Sequence, residues 1–568
     1  MMNTGIATAD YLIICGFFAV MLGIGYHFGK RVKSMSQFFG GGKQVPWWLG
    51  GVSFYMVSFS ALAFVMHSEL VYKYGFISLV LGWLPVPAAI FSAILFARRW
   101  RRVAQTSPLE YIEARYGSGM RQGLLWLGLP TRLLDDAIKL FAIGTLVSVG
   151  LGFPFEQSII ACSLIILGYT FMGGLMAALV ADFVQLAVIV AAVAIMPSLA
   201  FKHAGGVSAV LEKLPENFWS IARGDVGYPA SYLLCYFLLL FLNYSTSWAL
   251  VQRYYSTKDD KSAVKVGLLV AGLYVVGVPL FYAPAFAAVA FLPELASTKD
   301  VYPMICKTVL PVGMLGMVIA AMFSATMSTL AGDCNAMSSV LTNDFYKRFI
   351  NKGSSDKHLL IIGRINTVIV GIIILGITLV MRSLQESKDL FDTMAKVFGV
   401  FLPPVAIPML MGMLTPKVSS AGGKYALFGG IVSGLALFMI GAAHPWFRTA
   451  QALTFLTSGM TLLGLILGSL LQPDTGERKQ RVETFFERFA KPVELAGSEA
   501  ATQDSGIASF LPVIAGGIAS MGFILILSVL ATVGFVKGSM SVYVGTTLIL
   551  VAFGLWATSK WQRKESTK

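Results

Sequence analysis

Oxygen-bearing side chains stand inside apolar runs where a plain membrane anchor would carry leucine. In WWLGGVSFYMVSFSALAF the hydroxyls include Ser58 and Ser60, and in GMVIAAMFSATMSTLAGDCNAMSSV they include Ser324, Thr326, Ser328 and Thr329, followed by Asp333 and Asn335. A hard monovalent cation such as sodium needs several oxygens close together. A helix interrupted within the bilayer exposes carbonyls, and hydroxyls on a facing helix can complete the shell. Gly50, Gly51, Ser58 and Ser60 are compatible with such an interruption. The competing reading is structural, because serine and threonine also bond the preceding helical turn and then only pack.

Two further groups carry charge into apolar surroundings. Asp182 lies between the Gly173–Gly174 turn and another apolar run, where it suits a second sodium or a proton, or an interfacial position. In TRLLDDAIKLFAIG, Arg132, Asp135, Asp136 and Lys139 recur at spacings of three and four and so share one helix face. Arg132–Asp136 and Asp135–Lys139 pairs would neutralise one another as a structural network. Alternatively, the Arg132 fork could hold a carboxylate or a hydroxylated solute.

Enzymatic apparatus is not visible. GGGK at Gly40–Lys43 lacks the spacing of a phosphate loop, and there is no HExxH or paired CxxC. Taken by themselves, His67 and His203 read as interfacial residues rather than metal ligands. With 56% hydrophobic residues, 13% charged and a mean hydropathy of +0.74, a soluble enzyme of 568 residues is excluded, since its surface would need about a quarter charged residues. The opening run lacks a charged leading region and does not resemble a cleavable signal.

The elements that must position these groups are membrane helices. A hydrocarbon core of about 30 Å needs about 20 apolar residues. That ruler cuts the sequence into fifteen spans: 10–28, 46–70, 76–98, 122–150, 155–176, 178–200, 229–252, 265–291, 308–345, 360–382, 392–416, 424–441, 450–471, 508–533 and 539–559. Spans 122–150 and 308–345 are long enough to require tilt or continuation as loop helices. With the amino terminus outside and the carboxyl terminus cytoplasmic, thirty of the 43 lysines and arginines fall on the inside and ten outside. This is the bias expected of cytoplasmic loops. The net charge of +14 therefore reports topology rather than nucleic-acid affinity. The gaps 201–228 (outside) and 472–507 (inside) are too short for an independent core, and the second reads as a linker to two accessory helices.

Several segments together resemble the sodium:solute symporter family: SFSALAF, SPLEYIEARYG (Ser107–Gly117), YTFMGGLMAALVADFVQ (Tyr169–Gln185), VQRYYSTKDDKSAVK (Val251–Lys265) and ATMSTLAGDCNAMSSVLTNDFYKR (Ala325–Arg348). The resemblance covers about residues 5–471. It implies an all-α polytopic membrane protein with a LeuT-like core of two inverted five-helix repeats, one helix before it and four after it. The implied division is 1–45 for the leading helix and inside loop, 46–200 for the first repeat, and 201–228 for the outer loop. The second repeat is then 229–416, followed by two peripheral helices in 417–471, the linker 472–507, and two accessory helices with the tail in 508–568. Expected partners are sodium, a small polar organic solute and the lipid bilayer of a bacterial inner membrane, with no nucleic acid and no required protein partner.

The same resemblance implies a sodium site from the carbonyls of Met56, Phe59 and Ala325 and the hydroxyls of Ser328 and Thr329. Asp182 matches the acid of a second sodium site found in some relatives. Ala331 and Gly332 stand where those relatives carry hydroxyls, so Asp333 is the expected replacement. Substrate contacts are expected at Ser60, Ala63, His67, Arg132, Asp136, Asn243 and Tyr244. The implied activity is sodium-coupled symport of a sugar or sugar acid by alternating access. The alternatives are a monocarboxylate, an amino acid or proton coupling.

Overall fold

The computed structural model describes residues 7–30, 34–103, 107–151, 153–292, 295, 298–384, 390–491 and 503–566. Among these, twelve helices are long and apolar enough to cross a membrane, or thirteen with one bent pair. The two remaining sequence-derived spans fail that criterion for reasons that matter to the site. One is interrupted, and the other carries the Arg132–Lys139 charges.

Of the helices, numbered here as the site requires them, α1 is Thr8–Gly29. The interrupted span consists of α2 (Trp47–Val57) and α3 (Ala61–Tyr74). The charged span is α4 (Ser118–Leu151), and α5 (Phe155–Met172) and α6 (Gly174–His203) follow it. The bent pair is α7 (Ala230–Thr246) and α8 (Trp248–Tyr255), angled by 52°. Next come α9 (Asp260–Phe291) and α10 (Met314–Ile350). The sequence-derived span 308–345 is thus divided at Gly313, whose φ of +85° caps α10 and requires glycine. Packing joins α2 to α9, the α5–α6 pair to α10, and α4 to α10, so α10 lies at the centre, almost wholly buried over Met314–Val340.

The chain reverses between α5 and α6 at Gly174, with φ 56° and ψ −156°. A Cβ there would stand 2.7 Å from the Phe38 carbonyl oxygen, so both the dihedrals and the close approach demand glycine. Gly51 does not break α2; it admits Leu269 of α9 against the backbone. The glycine pair serves close helix packing, and the interruption falls at Ser58–Ser60.

The segment read as a linker contains α11, Gly476–Ala490. Its Phe485 stacks on Tyr111 and Phe489, and Arg115 lies over the Phe486 ring. Residues 492–502 of that segment lie outside the described residues.

Between the spans, Ser107 donates to Asp344 at 2.6 Å and Arg121 bonds both Asp344 and Glu113. Arg348 closes the network on Glu113 through two hydrogen bonds. Bonds from Arg348, then Arg121, outweigh burial and hold the Glu113 carboxyl below the ordinary glutamate range. Its stabilising contribution is complete above about pH 4.3 and is lost as the pH falls through the depressed value. Glu113→Gln is therefore expected to lower the unfolding temperature at pH 7 and to make the wild-type–variant gap narrow in acid, measured by thermal unfolding across pH.

Candidate functional site

The chain leaves helical geometry where serines offer the backbone an alternative bond. Ser58 Oγ donates to the Tyr55 carbonyl at 2.9 Å, and Ser60 is extended at φ −137°, ψ 167° before α3 begins. The α2 ladder ends here on loosely bonded carbonyls, Met56 keeping a backbone bond of 3.4 Å from Phe59 N. Thr329 of α10 faces them: its hydroxyl lies 2.9 Å from the Phe59 carbonyl oxygen, 3.4 Å from that of Met56 and 3.0 Å from that of Ala325. Three carbonyl oxygens and a hydroxyl converge at the interruption, a donor set suited to a hard cation.

Ser328 turns toward Asp182 on α6 without reaching hydrogen-bond geometry. The Ser328 hydroxyl and Asp182 Oδ1 are thus buried without partners among the described residues. The other Asp182 oxygen accepts from Ser53, which also accepts from Arg253 Nε at 3.1 Å. The Arg253 guanidinium lies 4.0 Å from Asp182. A Cβ on Gly332 would come within 3.2 Å of that guanidinium, so glycine makes room for it.

Beside the interruption is a cavity of about 150 Å³. Its wall includes Ser58, Ser60, His67, Arg132, Asp135, Lys139, Asn243, Tyr244, Thr329 and Asp333, closed by aromatic rings such as Tyr236 and Phe398. The cavity therefore adjoins the Thr329 oxygens directly. Arg132 reaches across to α7 and donates to Asn243 Oδ1 at 3.1 Å. Tyr244 donates to the Tyr274 hydroxyl at 2.9 Å, which in turn bonds the Ser58 hydroxyl and carbonyl. His67 stacks on Tyr282 and bonds Ser78.

Six of the seven expected substrate residues have described side chains. Of these, Ser60, His67, Arg132, Asn243 and Tyr244 line the cavity, while Asp136 is buried behind it. The side chain of Ala63 lies outside the described residues. Two expectations need correction. Arg132 is bonded to Asn243 and not to Asp136, because Lys139 is held by Asp135 at 2.7 Å, Asp136 at 3.3 Å and Asp333 at 3.4 Å. Asp333 does not replace oxygens beside Asp182. Helical rotation of about 100° per residue turns Asp333 from the face where Gly332 meets Arg253 toward the cavity and Lys139.

Sequence reasoning missed Asp135 as a group of the cavity wall and Tyr274 as the link between Tyr244 and Ser58. Tyr274 had no signal outside its own apolar run. Asp135 shared its helix face with Arg132, so the spacing was available.

The interrupted helix, the cation-suited oxygens and the adjoining solute cavity define a polytopic secondary transporter. The chain belongs to the sodium:solute symporter family, whose model matches residues 38–433. It is similar to a sodium/sialic acid symporter of Proteus mirabilis, 25% identical over 448 residues that cover 75% of this chain and 89% of the relative. A sodium/glucose cotransporter of Vibrio parahaemolyticus is 25% identical over 478 residues, covering 78% and 87%. A solved structure of a sodium-coupled sialic acid symporter, substrate-bound and outward-open, shares the fold with a TM-score of 0.72 at 21% identity, covering 82% of this chain and 98% of that one. The chain is a multi-pass transporter, not an enzyme, and couples solute movement across the bilayer to sodium.

Proposed function

We propose that this protein carries a sugar or sugar acid together with sodium by alternating access between two inverted five-helix repeats, spans two to six and seven to eleven. The observation that carries the reading is the meeting of Thr329 with the Met56 and Phe59 carbonyls at the edge of the cavity. Sodium bound by those oxygens, Ala325 and Ser328 would tie α2 to α10 and order the cavity wall at Ser58 and Ser60. Solute bound at Arg132, Asn243 and Tyr244 would then favour occlusion and release inside. Asp182 and Ser328, each with an unpartnered buried oxygen, are the pair a second sodium would use.

The sugar assignment draws on the sialic acid and glucose relatives together with the guanidinium, amide and aromatic wall of the cavity. Volume is consistent with it: a water needs about 10–15 Å³ on this scale, so the cavity takes roughly ten waters, near the size of a monosaccharide. The basic loops support an outside amino terminus and a cytoplasmic carboxyl terminus in the plasma membrane. One sodium moving down about 100 mV contributes about 2.3 kcal/mol, roughly fiftyfold in accumulation, before its concentration gradient is counted.

Counterflow in proteoliposomes across hexoses, sugar acids, monocarboxylates and amino acids tests the assignment. Uptake of a sugar or sugar acid stimulated at least tenfold by an inward sodium gradient is expected. Stimulation by a pH gradient in sodium-free buffer, with none by sodium, would replace it with proton coupling.

A further inference from the structure

Beside the Thr329 oxygens three carboxylates gather at the cavity, two of them in its wall. Asp135 and Asp136 on α4 and Asp333 on α10 each present an oxygen within 4.8 Å of the others, and all three side chains are at least nine-tenths buried. Lys139 reaches each of them. An ammonium has three donors, so one carboxylate per donor exhausts it. Two further oxygens remain: Asp135 Oδ1 and Asp136 Oδ2 are buried and accept no hydrogen bond among the described residues. Asp135 and Asp333 both line the cavity, so the cluster is reached from the solute's own space.

Charge points the same way as the unpartnered oxygens. The triad, taken together with Lys139, which contacts all three, and Arg132 of the adjoining cavity wall, carries one formal negative charge in excess. An uncompensated charge in the membrane interior is costly, and such groups are paired in native proteins. A single additional positive charge closes the balance and gives the spare oxygens a partner.

We propose that Asp135, Asp136 and Asp333 form a further cation site, separate from Thr329 and from Asp182, that takes one monovalent cation from the cavity beside Lys139. The cation is a sodium ion or a proton; both supply one charge to carboxylate oxygens. The inference rests on the sodium-symport reading, because it assigns the site to a carrier that already binds sodium at Thr329. Replacing Asp333 by asparagine removes both the charge excess and one ligand, so the added cation should no longer be held.

The test counts cations on the purified full-length chain. Bound radioactive sodium is measured at saturation, and the infrared carbonyl band of protonated carboxyl groups is recorded at neutral pH. If the occupant is sodium, Asp333→Asn binds one ion fewer than wild type. If it is a proton, the sodium counts are equal, but wild type shows a protonated-carboxyl band that Asp333→Asn lacks. Equal sodium counts with no difference in that band overturn the proposal. Asp135→Asn, which makes the same charge change on the other helix, is the second variant should Asp333→Asn fail to fold, with the same outcomes expected. Failure of the wild type to bind any sodium would instead overturn the sodium-symport reading.

Discussion

Proteoliposomes containing Ser328→Ala with Thr329→Ala are expected to take up solute without sodium stimulation, although the protein folds and inserts. Thr329 spans the interruption, with one hydroxyl among the carbonyl oxygens of Met56, Phe59 and Ala325. Removing both hydroxyls leaves a cation with carbonyls alone. Each lost polar ligand costs about 1–3 kcal/mol, so the pair should weaken sodium activation by at least tenfold and remove it at ordinary sodium concentrations. Thr329→Ser keeps the oxygen and should keep the activation. This comparison separates ion binding from packing, because it also trims the threonine methyl. Sodium activation of the double variant equal to wild type would remove both hydroxyls from the coupling scheme.

Lys139→Met should have the largest effect on stability. It leaves Asp135, Asp136 and Asp333 clustered and buried without the ammonium that contacts all three. Breaking a buried ion pair by deleting one partner costs about 3–5 kcal/mol, because the remaining charge is uncompensated. Thermal unfolding in detergent should therefore shift strongly downward, with loss of monodisperse protein on size exclusion. Adding Asp136→Asn to Lys139→Met removes one of the stranded charges and should recover part of the shift. A Lys139→Met protein as stable as wild type would show that the cluster is not held together by the lysine.

The spans were legible because hydropathy over about 20 residues is a strong, local signal. Even the two helices that miss the apolar criterion, at Ser58–Ser60 and at Arg132–Lys139, fell within spans the sequence marked. The interruption itself was only half legible. Ser58 and Ser60 signalled it correctly, but Gly50 and Gly51 owe their places to contact with α9, a fact that belongs to packing. Charge partners were less legible still. Arg132 and Asp136 have ideal helical spacing, yet Arg132 bonds Asn243 and Lys139 recruits Asp333 from α10. Those partners are more than a hundred residues away in sequence, and no local pattern ranks them above a neighbour four residues along. Asp333 was misassigned to the Asp182 site for a related reason, since adjacency to Gly332 does not give it the same helix face. The helix Gly476–Ala490 was hidden by its charge; its phenylalanines pack on Tyr111 and Arg115, which sequence proximity does not reveal.

The central claim is that an interrupted helix and Thr329 capture the coupling ion. An experimental structure determined in saturating sodium tests it most directly. The account predicts an ion bounded by the carbonyls of Met56, Phe59 and Ala325 and by the hydroxyls of Ser328 and Thr329, with helical geometry broken at Ser58–Ser60. A continuous helix through Met56–Ser60 with no ion beside Thr329 would contradict it.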